Sequence, residues 1–178
     1  MTPEDFKRVW ELDGDRLCSV PTEELSGVVI PTSAKEFLAK AGLPEDAAPF
    51  LSFAASSRGF SSDLLRAAID RPDVLVVGSN GAGDPVAVRL DGALVYLNHD
   101  AEFAEIYINR DVYTFAATAL RMRELIAETQ RLMGSDAYLD GLIPEALGQD
   151  FRSFLSSVDP LALEQGTLWA DEIDRWRS

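Results

Sequence analysis

Residues 74–109 read VLVVGSNGAGDPVAVRLDGALVYLNHDAEFAEIYIN, and this stretch decides the fold. Val74–Val77 is a short β-branched run ended by Gly78, Val86–Leu90 is a second run and Ala93–Asn98 a third. Asp91-Gly92 lies between the last two. It is a strong hairpin signal, because a two-residue turn needs positive φ at both positions and only Gly, Asn and Asp accept that cheaply. Ile106–Ile108 makes a fourth strand beyond the polar run HDAEFAE. No connection is long enough for a helical crossover, so the strands pair as an antiparallel meander. A sheet with an apolar face has to be covered, and most of the remaining chain is helical in pattern. The expected fold class is α+β, an antiparallel sheet covered by helices in one domain over residues 1–178.

On the N-terminal side, Thr2-Pro3 predicts a helix start, with Thr as N-cap and Pro at the first helical position. Phe6, Val9 and Trp10 share a face, and Asp13-Gly14-Asp15 stops the helix, which spans about residues 3–13. Leu17–Ser26 carries no clear element, and Pro21 forbids a central strand there. Val28–Ile30 predicts a short edge strand ended by Pro31. Ser33-Ala34-Lys35-Glu36 reads as a capping box opening a second helix. Phe37, Leu38 and Ala41 form its apolar side, and Gly42-Leu43-Pro44 ends it. Phe50–Ala54 predicts another strand, Ser56–Ser62 a polar loop, and Leu64, Leu65, Ala68 and Ile69 one or two helical turns.

Beyond the meander, Asp111 caps the longest expected helix, Val112 to Met133. Its stripe is Phe115, Ala119, Met122, Ile126 and Met133, widened by Leu125 and Leu132, which suits a helix lying on a sheet. Arg121, Arg123, Glu124, Glu128 and Arg131 fall outside the stripe. Phe151, Phe154, Leu155 and Val158 predict a short helix, and Asp159-Pro160 starts another by the cap-plus-Pro rule. Trp169, Ile173 and Trp176 then share one face.

The composition narrows the function classes. The chain has 178 residues, 30 acids against 16 bases and a formal net charge of −14. Acid is spread along the chain. The plain reading is solubility; the sharper one is a basic partner, since such a field repels nucleic acid and speeds capture of a basic protein. No Lys/Arg stripe for nucleic acid is present, and no apolar run is long enough for a bilayer. The acidic start MTPEDFKRVW lacks the features of a secretory signal, and one cysteine, Cys18, excludes an internal disulfide. The expected location is the cytoplasm.

Each candidate for chemistry has a plainer reading beside it. Gly78–Asp84 is Gly-rich, but a phosphate loop needs Lys-Ser/Thr and a following helix, whereas Asp84-Pro85 and a strand follow here. A calcium loop needs carboxylates at alternating positions, and only Asp84 is there. A tight strand connection is the better reading. His99, the only histidine, could pair with Cys18 as nucleophile and base, but reads better as a loop residue. One His and one Cys do not make a zinc site. Asp91, Asp100, Glu102 and Glu105 could converge at one end of the sheet for acid–base work, or form a solvated rim. Trp10, Trp169 and Trp176 fit core packing better than partner anchors.

Several pieces together resemble the SUKH superfamily, and most closely its fourth subfamily of immunity proteins. These are Phe37-Leu38…Gly42-Leu43-Pro44, the Phe50–Phe53 run, and Val76-Val77-Gly78 leading to Val86–Leu90. Gly92 with Val95-Tyr96-Leu97, Ile108-Asn109 before Phe115, and Asp159-Pro160 with Trp169 complete the order. They span about residues 30 to 176, and the expected core covers about 28–176. The resemblance implies a curved sheet with packed helices and a bacterial cytoplasmic protein, not an enzyme, that neutralises a toxin from a polymorphic or contact-dependent system, many such toxins being nucleases. It carries over no catalytic motif, cofactor or metal. A scaffold or regulatory role, which the same fold serves, is the alternative, and a small enzyme is a third. The expected partner is a basic protein toxin, with no direct nucleic acid or membrane contact and the protein a monomer or weak dimer. The interface read from exposure and charge is Asp84, Asp91, Tyr96, His99, Asp100 and Glu102.

Overall fold

The computed structural model describes residues 1–53, 71 and 73–177. The strands of the meander form where β-branched residues alternate between two faces. They are Val74–Asn80 (β5), Pro85–Arg89 (β6), Leu94–Asn98 (β7) and Ala104–Asn109 (β8), all antiparallel to their neighbours. Two short strands, Asp46–Ala47 (β3) and Leu51–Ser52 (β4), extend the sheet to six in sequence order. A separate pair joins Leu17–Cys18 (β1) to Leu43–Pro44 (β2).

Because side chains alternate along a strand, the sheet has two apolar faces. Leu75, Val77, Val86, Val88, Leu94 and Ile108 join the main core beneath the helices. Val74, Val76, Ala87, Val95 and Leu97 form a second cluster, with Phe103 against it.

Six α-helices are described. Pro3–Trp10 (α1) starts as expected, with the Thr2 hydroxyl accepting from the Asp5 N–H. Thr22–Leu25 (α2) and Thr32–Lys40 (α3) follow, then Val112–Met133 (α4), Glu145–Val158 (α5) and Leu168–Asp174 (α6). α4 has the predicted bounds and its cap, the Asp111 carboxylate accepting from the Thr114 N–H at 2.7 Å. α1, α3 and α5 pack on it, and Phe6, Phe37, Phe115, Phe151 and Trp169 are all fully buried. Burying one such side chain contributes about 1.5–3 kcal/mol.

Local chemistry differs from the sequence reading at several points. β5 does not end at Gly78; it continues to Asn80 through a bulge between Val76 and Gly78. A Cβ on Gly78 would sit 2.4 Å from the Ser52 carbonyl oxygen, so the glycine lets β4 approach. The β6–β7 turn has three residues, Leu90-Asp91-Gly92. The Arg89 N–H donates to the Ala93 carbonyl, and positive φ falls on Gly92 alone, the form built on a type I turn. Val28–Ile30 is not a strand: Ile30 turns into the core while Val29 is 73% exposed, and the Val28 N–H bonds back to Leu25. The capping box is absent too. α3 starts at Thr32 with Pro31 at the N-cap, and Glu36 binds Lys40 at 2.6 Å. Gly42 does end α3, at φ 78.

β4 is shorter than the expected Phe50–Ala54 strand, because Phe50 takes a left-handed φ of 57° and leaves the ladder. The loop at Ser56–Ser62 and the turns at Leu64–Ile69 lie outside the described residues. Leu132 and Met133, in the last turn of α4, are exposed rather than part of its buried stripe. α5 is a full 14 residues. Asp159-Pro160 opens only a 3₁₀ turn, Pro160–Leu163, and the helix carrying Trp169 is capped instead by Thr167.

Candidate functional site

The β5–β6 loop is built by one side chain. The Asn80 Oδ1 accepts from the N–H groups of Ala82 and Asp84, and Gly83 supplies positive φ. The Asn80 Nδ2 donates to the Asp84 carboxylate at 2.8 Å. Asp84 is buried. Its other oxygen accepts from the His99 N–H at 2.9 Å and meets His99 Nδ1 at 2.5 Å. Burial opposes the Asp84 charge, but these donors outweigh it and hold the carboxyl below its ordinary range. The same contact, with Asp100 nearby, raises His99. His99 therefore ties the end of β7 to the β5–β6 loop, and Asp84 is consumed in that tie. The Gly-rich segment is a strand connection with no phosphate cradle.

Of the six residues read as an interface, the structure places four at this end of the sheet: Asp84, His99, Asp100 and Glu102. Asp100 is strongly exposed. Glu102 follows a 3₁₀ turn at His99–Ala101 and has a positive φ. Asp91 lies at the opposite end, in the β6–β7 turn, where its carboxylate meets Arg89 at 2.5 Å. Glu105 pairs with Arg71 at 2.5 Å and Arg89 at 3.0 Å, on the stretch between the two ends. The four acids do not converge: Asp91 and Glu105 share the Arg89 guanidinium, while Asp100 and Glu102 lie in the β7–β8 connection at the other end of the strands.

Tyr96 points to the helical side. It lines a groove of about 390 Å³ with Phe50, Asn80, Gly81, Leu168 and Asp171. Burial raises its phenol, and the nearby Asp171 and Asp84 carboxylates raise it further. A second concavity of about 490 Å³ shares Phe50, Asn80 and Gly81 and is bounded by Asp46 and Tyr138. Phe50 stands between the two, 59% exposed. Sequence reading assigned it to a strand; the Ala48-Pro49 pair just before it is the turn signal that was there to use.

Two buried carboxylates complete the picture. Asp159 accepts from the Tyr107 hydroxyl at 3.0 Å, Asn109 Nδ2 at 3.0 Å and the Arg110 N–H at 2.9 Å. Asn109 in turn accepts from Trp169 Nε1 at 3.0 Å. Burial and Asp159 both raise the Tyr107 phenol. Glu172 accepts from Tyr138, Trp176 and Arg175. Burial first, then Glu172, raises the Tyr138 phenol. Both acids hold elements together. Cys18 lies in the separate β1–β2 pair and His99 in the 3₁₀ turn after β7, and among the described residues no group of His, Cys, Asp and Glu could hold a metal ion. No described helix is long and apolar enough to cross a membrane.

The architecture is an α+β one, an open antiparallel meander backed by helices, with its polar chemistry committed to joining elements and a groove at one end of the sheet. The family model described as SUKH-4 immunity protein matches residues 5–175, and the chain belongs to that family. No curated protein matches the chain, and no solved structure does. The positions that carried the resemblance have physical roles: Gly42 and Gly78 at close backbone approaches, and Asn109, Asp159 and Trp169 in one hydrogen-bonded chain. Family membership supports an immunity role and implies a cognate toxin.

Proposed function

We propose that this protein is a cytoplasmic, non-enzymatic immunity protein that binds its cognate toxin in a stoichiometric complex and covers the toxin's active site or a surface beside it. The observation that carries the reading is the family match over residues 5–175. The net charge of −14 adds to it, because an acidic protein gains association rate towards a basic partner. A nuclease toxin, whose cleft is basic to hold phosphates, fits that field. The docking face includes the loop end of the sheet, with His99, Asp100, Glu102 and Tyr96, while Asp84 orders that loop from inside.

Capture with the tagged protein from its native cell, followed by mass spectrometry, tests this. Recovery of one large secreted protein through its C-terminal toxin domain, at one-to-one stoichiometry and with a binding rate that falls with salt, is the expected result. Recovery of housekeeping or signalling proteins alone would move the protein to a scaffold role.

A further inference from the structure

The groove around Phe50 has features that packing does not explain. Phe50 is a large apolar residue, 59% exposed, with φ at 57°. Gly would adopt that conformation freely, whereas a side chain with a Cβ is strained there. Concavities of about 390 Å³ and about 490 Å³ flank the ring. Their walls are fixed in advance. Asn80 and Asp84 lock the loop carrying Gly81 and Ala82, and Glu172 anchors α6 through Tyr138 and Trp176. A preformed wall lowers the ordering cost of binding.

The charges at the rim identify the occupant. The Arg175 cation, 5.8 Å from the Phe50 ring centroid, is met by Glu172 at 2.8 Å. Asp171 borders one concavity and Asp46 the other, both exposed, and neither forms an ion pair with a described residue. Arg175 lies over the Phe50 ring and is neutralised by Glu172, which leaves the carboxylates of Asp171 and Asp46 as the unpaired charge beside an exposed aromatic ring. That combination matches a side chain with an apolar stem and a cationic head.

Resting on the immunity reading, we infer that the Phe50 groove is the toxin-docking surface, and that it receives an arginine-bearing loop of the toxin against the Phe50 ring and the Asp171 and Asp46 carboxylates.

Two probes test this separately. The first needs no toxin: N-acetyl-arginine methylamide is titrated into the ¹⁵N-labelled protein, with N-acetyl-leucine methylamide as control. Saturable shifts at Phe50, Gly81, Ala82 and Asp171 that the leucine compound does not produce, and that D46N/D171N abolishes, are expected. Absent shifts, or equal shifts from both compounds, would overturn the inference. The second probe is the captured toxin domain. Phe50→Ala removes the anchor, and Ala82→Arg fills the groove with a cation from within. Both sites are exposed, so the variants keep the wild-type circular dichroism spectrum. Each should weaken toxin affinity about tenfold or more, while Leu90→Lys, an exposed position in the β6–β7 turn at the far end, leaves it unchanged. Wild-type affinity in both groove variants would place the interface elsewhere and leave the immunity reading standing. Failure to capture any toxin would count against that reading, and the arginine titration would then decide the groove's chemistry alone. Concentration-dependent sedimentation abolished by Ala82→Arg would assign the groove to a second copy of the chain and overturn the inference.

Discussion

Asp159→Ala should be among the most damaging single changes in the protein, and the structure gives its size. Three donors end on this carboxylate: the Tyr107 hydroxyl, Asn109 Nδ2 and the Arg110 N–H. Hydrogen bonds to a charged group contribute about 1.5–3 kcal/mol each, so the gross loss is about 6 kcal/mol. Removing a buried charge also relieves its desolvation, which returns about 2–3 kcal/mol. The net is about 3–4 kcal/mol, against about 5–15 kcal/mol for a whole domain. Asn109 is fully buried and also holds the Trp169 indole, so no water replaces the lost partner without opening that packing. Urea unfolding followed by tryptophan fluorescence measures it. With m about 2 kcal/mol/M, the midpoint should fall by about 1.5–2 M with m unchanged. Asp159→Ser separates this from ordinary helix capping. Serine is a good N-cap, and loss of a cap costs only about 1 kcal/mol. It is too short to meet all three donors, so it should be nearly as unstable as alanine. A serine variant at wild-type stability, or an alanine variant that shifts the midpoint by less than about 0.5 M, would refute the reasoning.

Three further outcomes are expected. His99 titrates above its ordinary value, so the stability it lends the loop is complete below about pH 6.5 and is lost as pH rises through the raised folded value. An NMR titration of its ring protons reads this, and Asp84→Asn should return the midpoint towards the ordinary range. Gly42→Ala combines a left-handed φ of 78° with a Cβ that would lie 2.2 Å from the Cys18 carbonyl oxygen. It should lower stability by at least about 2 kcal/mol in urea unfolding, whereas Gly134→Ala, with open space around it, should cost less. Arg123 donates to the Val9 and Trp10 carbonyls and lies 4.6 Å over the Trp10 ring. Arg123→Lys keeps the charge but loses the fork, and should cost about 1–2 kcal/mol by thermal unfolding.

The parts of the fold that were legible in the sequence are those whose signals are local. α4 has its cap in Asp111, its terminator in Gly134 and a stripe between them, so its bounds came out as predicted. The four strands of the meander are short apolar runs bounded by turn residues, so they can be read one by one. Misreadings came where a distant partner outbids a local rule. Asp159-Pro160 has the form of a helix start, but its carboxylate is spent on Tyr107, Asn109 and Arg110 some fifty residues earlier. Glu36 could have closed a capping box and binds Lys40 instead. Asp84 reads as a loop acid and is a buried strut, because only the fold brings His99 to it. For the same reason the proposed interface residues divide between two ends of the sheet, while Phe50 and Asp171, more than a hundred residues apart, line one groove.

The strand order has a consequence for how the chain is made. All six strands of the main sheet are neighbours in space in the order in which they leave the ribosome. Each hairpin from β5 to β8 can close as soon as its second strand emerges, with little chain to search through. α1 is in the opposite position. It is made before the sheet, yet Arg123, which seats its last carbonyls, comes 113 and 114 residues later. The first helix can meet α3 early, through Phe6 and Phe37, but its C-terminal end waits until the whole sheet and the first half of α4 exist. Seating α1 is a docking event between an early helix and a later one, and the interval before it is when the nascent chain is most open to proteases and to chaperones.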